Sequence, residues 1–471
     1  MLTGPSALLA TLAVSLITVG IAAWLLLGYY RKKLTIVEVL LYGLATQGYH
    51  LALIGPTINA FFLVSTLFLV HEVWLFSQKT IRIHRRYLLL LGLPLISSLI
   101  GVAVYTYDFH SFYHNPVSDL YFYTKPIYFY AKNYLPLFAI GYKLYRHRSD
   151  LTLPHFFATV ERIVRYSCYL ALAQLGLTLV TGSGLLAELL GDKARYMLTL
   201  PNGLTFIRVS AAFNEPKNLA AFLGLALPWL VLERKIRLAW LAGLVGLLTM
   251  SQTFTLECLM AVFLFVLLRP LRQVRPLIVG TMVLVVAFFL TLSTARDALM
   301  NSAAANRDAV LFALVAERAI QRFEEGGDDE QAEILGIPFQ KDLEWPVVKF
   351  LFDRPDVLLT GYGPGNSNFI PPSYFLSIFE YKYEEQLTGR QANHMNMRWL
   401  FYSVEFGLPV FLVFWWVLTS VRSGLPVFAR RYFAFLWVCL FFNEVEIVLI
   451  VFYMLLQYGP VVRPKAVDSY A

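Results

Sequence analysis

Three segments of this largely apolar chain carry residue types and spacing that could hold or move a charged group. The first reads RVSAAFNEPKNLAAF over residues 208–222. Pro216 suits the first turn of a helix, where its missing N–H costs nothing, and Asn214 is a fair cap. A helix starting there points free N–H groups at whatever lies beyond it, which favours an anion. Arg208 adds a full positive charge whose planar fork matches phosphate oxygens. Glu215 and Lys217 flank the proline and join Asn214 as candidate ligand contacts. The competing reading of Arg208 is an interfacial arginine reaching toward lipid headgroups.

The second segment is Gly361-Tyr362-Gly363-Pro364-Gly365-Asn366. Glycines so closely spaced imply unusual backbone geometry or the close approach of another group. Gly363 at the centre is the candidate contact, and an ordinary loop is the alternative. The third segment runs from Asn393 through His394, Asn396 and Arg398 to Glu405-Phe406-Gly407-Leu408. Histidine takes or gives a proton near neutral pH, so His394 is a candidate general base. Asn396, Arg398 and Glu405 are candidate substrate contacts beside it, and a solvated loop histidine is the alternative.

The elements that must position these residues follow from composition. The 471-residue chain is 58% hydrophobic and 15% charged, with a mean hydropathy of +0.59. Soluble domains carry about 25% charged residues, so this surface must face lipid. Net charge is +8, but residues 295–397 hold nine Lys/Arg against sixteen Asp/Glu, which leaves +15 on the rest. That asymmetry fits a charge bias on membrane loops and argues against a nucleic-acid partner. Cys168, Cys258 and Cys439 lie in apolar runs and read as small core hydrophobes, with neither a disulfide framework nor zinc spacing. The N-terminal run lacks the basic start and the cleavage site of a signal peptide.

A span needs about 20 apolar residues. Candidate spans are 5–28, 35–55, 57–77, 87–106, 124–143, 164–190, 218–232, 236–250, 254–268, 276–294, 398–419 and 431–457. A tight turn at Gly55-Pro56 separates the second from the third. Basic clusters at Arg31–Lys33, Arg82–Arg86, Arg146–Arg148, Glu233–Arg237, Arg269–Arg275 and Arg422–Arg431 then all fall on one face, which the charge rule makes cytoplasmic. Arg463 and Lys465 are exceptions to this bias. The opposite face receives loops 107–123, 191–217 and 295–397, the last partly helical over 301–323 and 345–352. The expected fold is an all-α polytopic membrane protein of about 12 transmembrane helices with a large, partly helical periplasmic loop. Its expected regions are 1–294 (transmembrane helices and short loops), 295–397 (periplasmic loop) and 398–471 (last two helices and tail). No Walker loop, dinucleotide fingerprint or HExxH occurs in the sequence.

Taken together and in order, the three segments resemble the O-antigen ligase and polymerase superfamily of membrane glycosyltransferases. The resemblance rests on RVSAAFNEPKNLAAF, LLTGYGPGN and HMNMRWLFYSVEFGL, with LLTMSQTFT a weaker echo, and covers about residues 200–420. The Glu-Pro turn leans toward the exopolysaccharide polymerase type. His394 stands eleven residues before Glu405, where the family usually has nine, and Asn396 holds that position.

The resemblance implies a GT-C-like fold in a bacterial inner membrane, with the active site at the periplasmic side. It implies an undecaprenyl-pyrophosphate-linked glycan donor, a glycan acceptor, and polysaccharide-assembly proteins as further partners. His394 would be the base and Arg208 the pyrophosphate clamp. A second cation would come from Arg307, Arg318, Arg322 or Arg398. No cofactor or metal is expected. Polymerisation of repeat units and ligation to another acceptor both remain open. Glu257, Glu444 and Glu446 lie within spans, where acids are costly and often functional. They sustain an alternative of another class, a transporter or flippase of lipid-linked sugars. A non-catalytic scaffold is a third.

Overall fold

A computed structural model describes residues 5–51, 58–78, 85–105, 119–135, 142–143, 153–181, 197–199, 205–249, 251–267, 332–334, 337–339, 344–371, 374, 398–419, 432, 435 and 439. Helix dominates these residues. In chain order the helices are α1 (Pro5–Tyr30), α2 (Ile36–Ala45), α3 (Ala60–Ser77), α4 (Arg85–Ile100), α5 (Asp119–Phe129), α6 (Leu153–Thr181), α7 (Pro216–Leu232), α8 (Ile236–Leu248) and α9 (Gln252–Leu267). They continue as α10 (Glu344–Asp353), α11 (Pro355–Thr360), α12 (Arg398–Phe406) and α13 (Leu408–Thr419). Two three-residue antiparallel ribbons are additions to the expected all-helical chain: Met197–Thr199 with Thr205–Ile207, and Ala332–Ile334 with Ile337–Phe339.

Three helical stretches are long and apolar enough to cross a membrane: Thr11–Tyr30, Ala60–Ser77 and His155–Thr181. Their outer faces carry Leu16, Trp24, Val70, Trp74, Tyr166 and Val180, all more than half exposed. Water would not tolerate so much contiguous apolar surface, and lipid does. The chain is a helical membrane protein.

Several element boundaries depart from the hydropathy reading. The run 35–55 is helical only over Ile36–Ala45, closed by Thr46 at its C-cap. A capping box starts it, with Thr35 accepting from Glu38 N–H and Glu38 reaching back to the Thr35 N–H. Beyond it, Leu51 N–H bonds the Ile58 carbonyl, and His50 bridges Asn59, so the chain doubles back before α3. Gly55-Pro56 lies outside the described residues. Helix α6 begins at Leu153, eleven residues before the expected span start. Its buried residues, among them Phe157, Val160, Val164, Cys168, Ala171 and Gln174, recur at helical spacing. The run 398–419 breaks at Gly407, whose φ is +80°. The expected span 276–294 and helix 301–323 fall outside the described residues, as do Glu444 and Glu446.

The chain divides into two compact units, one of Met1–Gly92, Ala131–Ala261 and Phe414–Ala471, the other of Leu93–Tyr130 and Val262–Val413. In the first, α6 packs on α2, α7 and α8. Phe157 stacks on Trp229 at 3.6 Å between ring centres, and Tyr432 donates to the Leu225 carbonyl at 2.6 Å. Gly224 in α7 leaves the room that Glu257 of α9 occupies: a Cβ there would lie 2.9 Å from the Glu257 Cβ. Glu257 is thus an interior residue, 3% exposed. A buried ion pair, Lys143 Nζ to Glu72 at 3.1 Å, ties α3 to the residues after α5. Cation–π contacts help it, since Lys143 Nζ lies over the rings of Phe68 and Tyr29. In the second unit the core is Tyr105, Val347, Phe350, Leu351, Val357, Tyr362, Ile370, Leu400 and Val404.

Candidate functional site

Two polar constructions stand out, one in each unit. The first is the segment from the Thr205–Ile207 strand to α7. Backbone without regular structure is expensive in an apolar protein unless each N–H and C=O finds a partner. Here the partners are specific. Gln174 of α6 meets Ala211 with both ends of its amide: Nε2 donates to the Ala211 carbonyl, and the Ala211 N–H donates to Oε1, each at 2.9 Å. Gly48 N–H donates to the Ala212 carbonyl at 2.7 Å, and Phe213 N–H to the Ser210 carbonyl at 3.0 Å. Gly48 is required for this approach, because a Cβ there would sit 2.7 Å from the Ala212 oxygen. Ala211 itself is fully buried with φ +48°, a left-handed conformation unusual for alanine.

Arg208 leads into this turn and is half-buried. Its Nε donates to the carbonyl of Thr249 at 3.1 Å, and Thr249 is the C-cap of α8. Helix C-termini leave carbonyls in need of donors, and an arginine there is favourable on both hydrogen-bonding and dipole grounds. The guanidinium is therefore fixed at one nitrogen by a rigid helix end.

Helix α7 starts with Pro216 in its first turn, as expected. The cap is a correction: Glu215, not Asn214, is the N-cap, and its side chain makes no capping bond. The cause is the proline, which forces the residue before it into extended backbone; Glu215 has φ −137° and ψ 152°. Asn214, Glu215 and Lys217 are each half-buried around this helix start.

The second construction is the glycine loop. Gly361, Gly363 and Gly365 have φ of +74°, +94° and +78°, all in the region that favours glycine. The loop is stitched to the end of α12: Tyr362 N–H to the Val404 carbonyl at 2.7 Å, and Gly363 N–H to the Glu405 carbonyl at 2.9 Å. The Glu405 carboxylate, 2% exposed, then accepts from Gly365 N–H at 2.8 Å and Ser367 Oγ at 3.1 Å. Lys125, 1% exposed, lies over the Phe129 ring at 5.7 Å and within electrostatic reach of Glu405. Ser97 Oγ donates to the Phe406 carbonyl at 2.8 Å, and Asn366 Nδ2 to the Tyr362 carbonyl at 2.9 Å. The five-residue π-helical turn Gly101–Tyr105 completes the frame. It sets Tyr105 edge-on to Tyr362 at 5.0 Å and bonds its hydroxyl to Thr360 at 2.7 Å.

Glu405 therefore faces the interior and holds the loop. Gly363 is buried, with Pro126 3.2 Å from where its Cβ would be. The backbone of Arg398 opens α12. His394, Asn396, Arg307, Arg318 and Arg322 lie outside the described residues. Among the described residues no His, Cys, Asp and Glu side chains gather as a metal site would need.

Gln174, Gly48, Thr249, Lys125, Ser97 and Ser367 escaped the sequence reading. Gln174 was the most accessible of them, as an amide inside an apolar helix that requires a partner.

No protein-family model matches the chain, and searches of curated proteins and of solved structures find no similar protein.

Proposed function

We propose that this chain is a membrane glycosyltransferase that transfers a glycan from a polyprenyl pyrophosphate to an acceptor sugar, polymerising repeat units of O-antigen or exopolysaccharide. The observation that carries the reading is the fixed Arg208 segment. An arginine anchored to a helix end opens a short irregular segment, bonded at Ala211, Ala212 and Phe213, that ends at a helix start. Such an arrangement suits an anion whose charge grows during reaction.

In this reading the acceptor hydroxyl oxygen attacks the anomeric carbon from the face opposite the phosphate. The new C–O bond forms as the bond to the pyrophosphate oxygen breaks, inverting the anomeric centre. The hydroxyl proton passes to His394, and the lipid pyrophosphate departs with its charge met by Arg208 and the first turn of α7. A general base of this kind contributes about 10²–10⁴ in rate. Asn214, Glu215 and Lys217 contact the donor headgroup. One of Arg307, Arg318, Arg322 and Arg398 supplies the second cation, and Asn396 assists His394. Gly363 and Glu405 are further substrate contacts in this reading. About a dozen spans in a bacterial inner membrane place residues 191–217 and 295–397 in the periplasm.

Deleting the gene and analysing lipid-linked intermediates tests this. Single repeat units accumulating on lipid mark a polymerase, and long chains accumulating on lipid mark a ligase. An unchanged intermediate pool refutes both.

A flippase of lipid-linked sugars draws on the break at Gly407 between α12 and α13, since transporter sites often lie at broken helices. Transporters build such sites from paired breaks in two related halves, and the sequence has no internal repeat. Deletion would then accumulate repeat units on the cytoplasmic leaflet.

A further inference from the structure

We infer that Gln174 is a positioning residue for Arg208, acting through the Ala211 turn; this rests on the reading that Arg208 and the start of α7 receive a pyrophosphate. A primary amide presents a donor and an acceptor side by side, so one glutamine can pair with both the N–H and the C=O of a single residue. Gln174 does this with Ala211, at 2.9 Å for each bond. It is 2% exposed on α6, and Ala211 is fully buried.

The residue so held is the one with left-handed backbone, at φ +48°. Alanine keeps that conformation only where its surroundings over-determine it. Ala211 lies three residues after Arg208 and five before Pro216. Its backbone angles therefore bear on the angle between the Thr205–Ile207 strand, which Arg208 follows, and the axis of α7. Gly48 holds the next carbonyl, and Thr249 holds the arginine itself. Gln174 is the side chain among these partners that fixes the turning residue. It needs no contact with the substrate to govern where the Arg208 charge sits relative to the helix start.

The test uses the full chain in lipid nanodiscs, with Gln174→Leu, which keeps the size and loses the amide. Gln174→Met, which keeps the length of the side chain and loses the amide, gives the same readouts if the leucine variant fails to accumulate. Amide hydrogen exchange over residues 208–216 reads the turn directly and needs no activity. Transfer from a lipid-pyrophosphate glycan reads its consequence. Exchange over 208–216 is expected to rise. kcat/KM for the donor is expected to fall by about 10²-fold, the cost of misplacing a group by roughly 1 Å. Adding Ala211→Gly to Gln174→Leu is expected to recover part of the loss, because glycine takes positive φ without a clasp.

Wild-type transfer in Gln174→Leu, unchanged exchange over 208–216, or no recovery from Ala211→Gly would each overturn the inference. If the wild-type protein transfers no glycan, the proposed function fails, and the exchange measurement still decides whether Gln174 holds the turn.

Discussion

Arg208 Nε and the carbonyl of Thr249 are 3.1 Å apart, joined across 41 positions of sequence. The bond couples the arginine to the end of α8 and limits the orientations its guanidinium can take. Arg208→Ala should therefore abolish most transfer while leaving membrane insertion and protein level unchanged. Arg208→Lys should recover only part, because an ammonium lacks the planar fork. Transfer assays on matched amounts of purified protein check this. Wild-type transfer by Arg208→Ala would remove the residue from the mechanism.

Glu405 gives a stability prediction. Its carboxylate accepts from Gly365 N–H and Ser367 Oγ in the interior, and a hydrogen bond to a charged partner is worth about 1.5–3 kcal/mol. Glu405→Ala should lower stability by about 3 kcal/mol or more and raise proteolysis near residues 361–367. Glu405→Gln keeps one acceptor oxygen and should cost less. Thermal unfolding in detergent measures both, and an unchanged midpoint for Glu405→Ala would show that the loop needs no clasp.

The glycines separate into two kinds. Gly365 has φ +78°, and a Cβ on it would lie 2.6 Å from the Phe129 ring, whereas a Cβ on Gly20 in α1 meets nothing within 4 Å. Gly365→Ala should destabilise the protein. Gly20→Ala should stabilise its helix by up to about 1 kcal/mol. Equal effects of the two in the same unfolding assay would contradict the loop geometry.

Much of this arrangement was legible in the sequence, for identifiable reasons. Helices α1 and α3 follow from long apolar runs, and Pro216 marks the start of α7 because proline suits a first turn. The early end of α2 at Ala45 had a signal that a hydropathy average passes over: Thr46-Gln47-Gly48-Tyr49-His50 is polar and holds a glycine, while Leu51-Ala52-Leu53-Ile54 restores the apolar mean of the run. The glycine cluster announced its strained loop. Its bonds to Glu405, a candidate substrate contact in the sequence, were not legible, because no spacing links residue 405 to a loop forty positions earlier. Gln174 lies 37 positions from Ala211, and no periodicity links an amide in one helix to a turn before another.

Topology has its own test. Single cysteines at positions 110, 200 and 330 should react with a membrane-impermeant thiol reagent applied from outside, and one at position 84 should not. Labelling at 84 would invert or break the proposed span order.

The most direct test of the central claim is reconstitution. Purified protein in proteoliposomes, supplied only with a polyprenyl-pyrophosphate-linked repeat unit, should lengthen the glycan and release polyprenyl pyrophosphate in equal amounts. Both products should disappear in His394→Ala and fall to a small fraction in Arg208→Ala. Release of neither product by the folded wild-type protein, or undiminished release by both variants, would contradict the account.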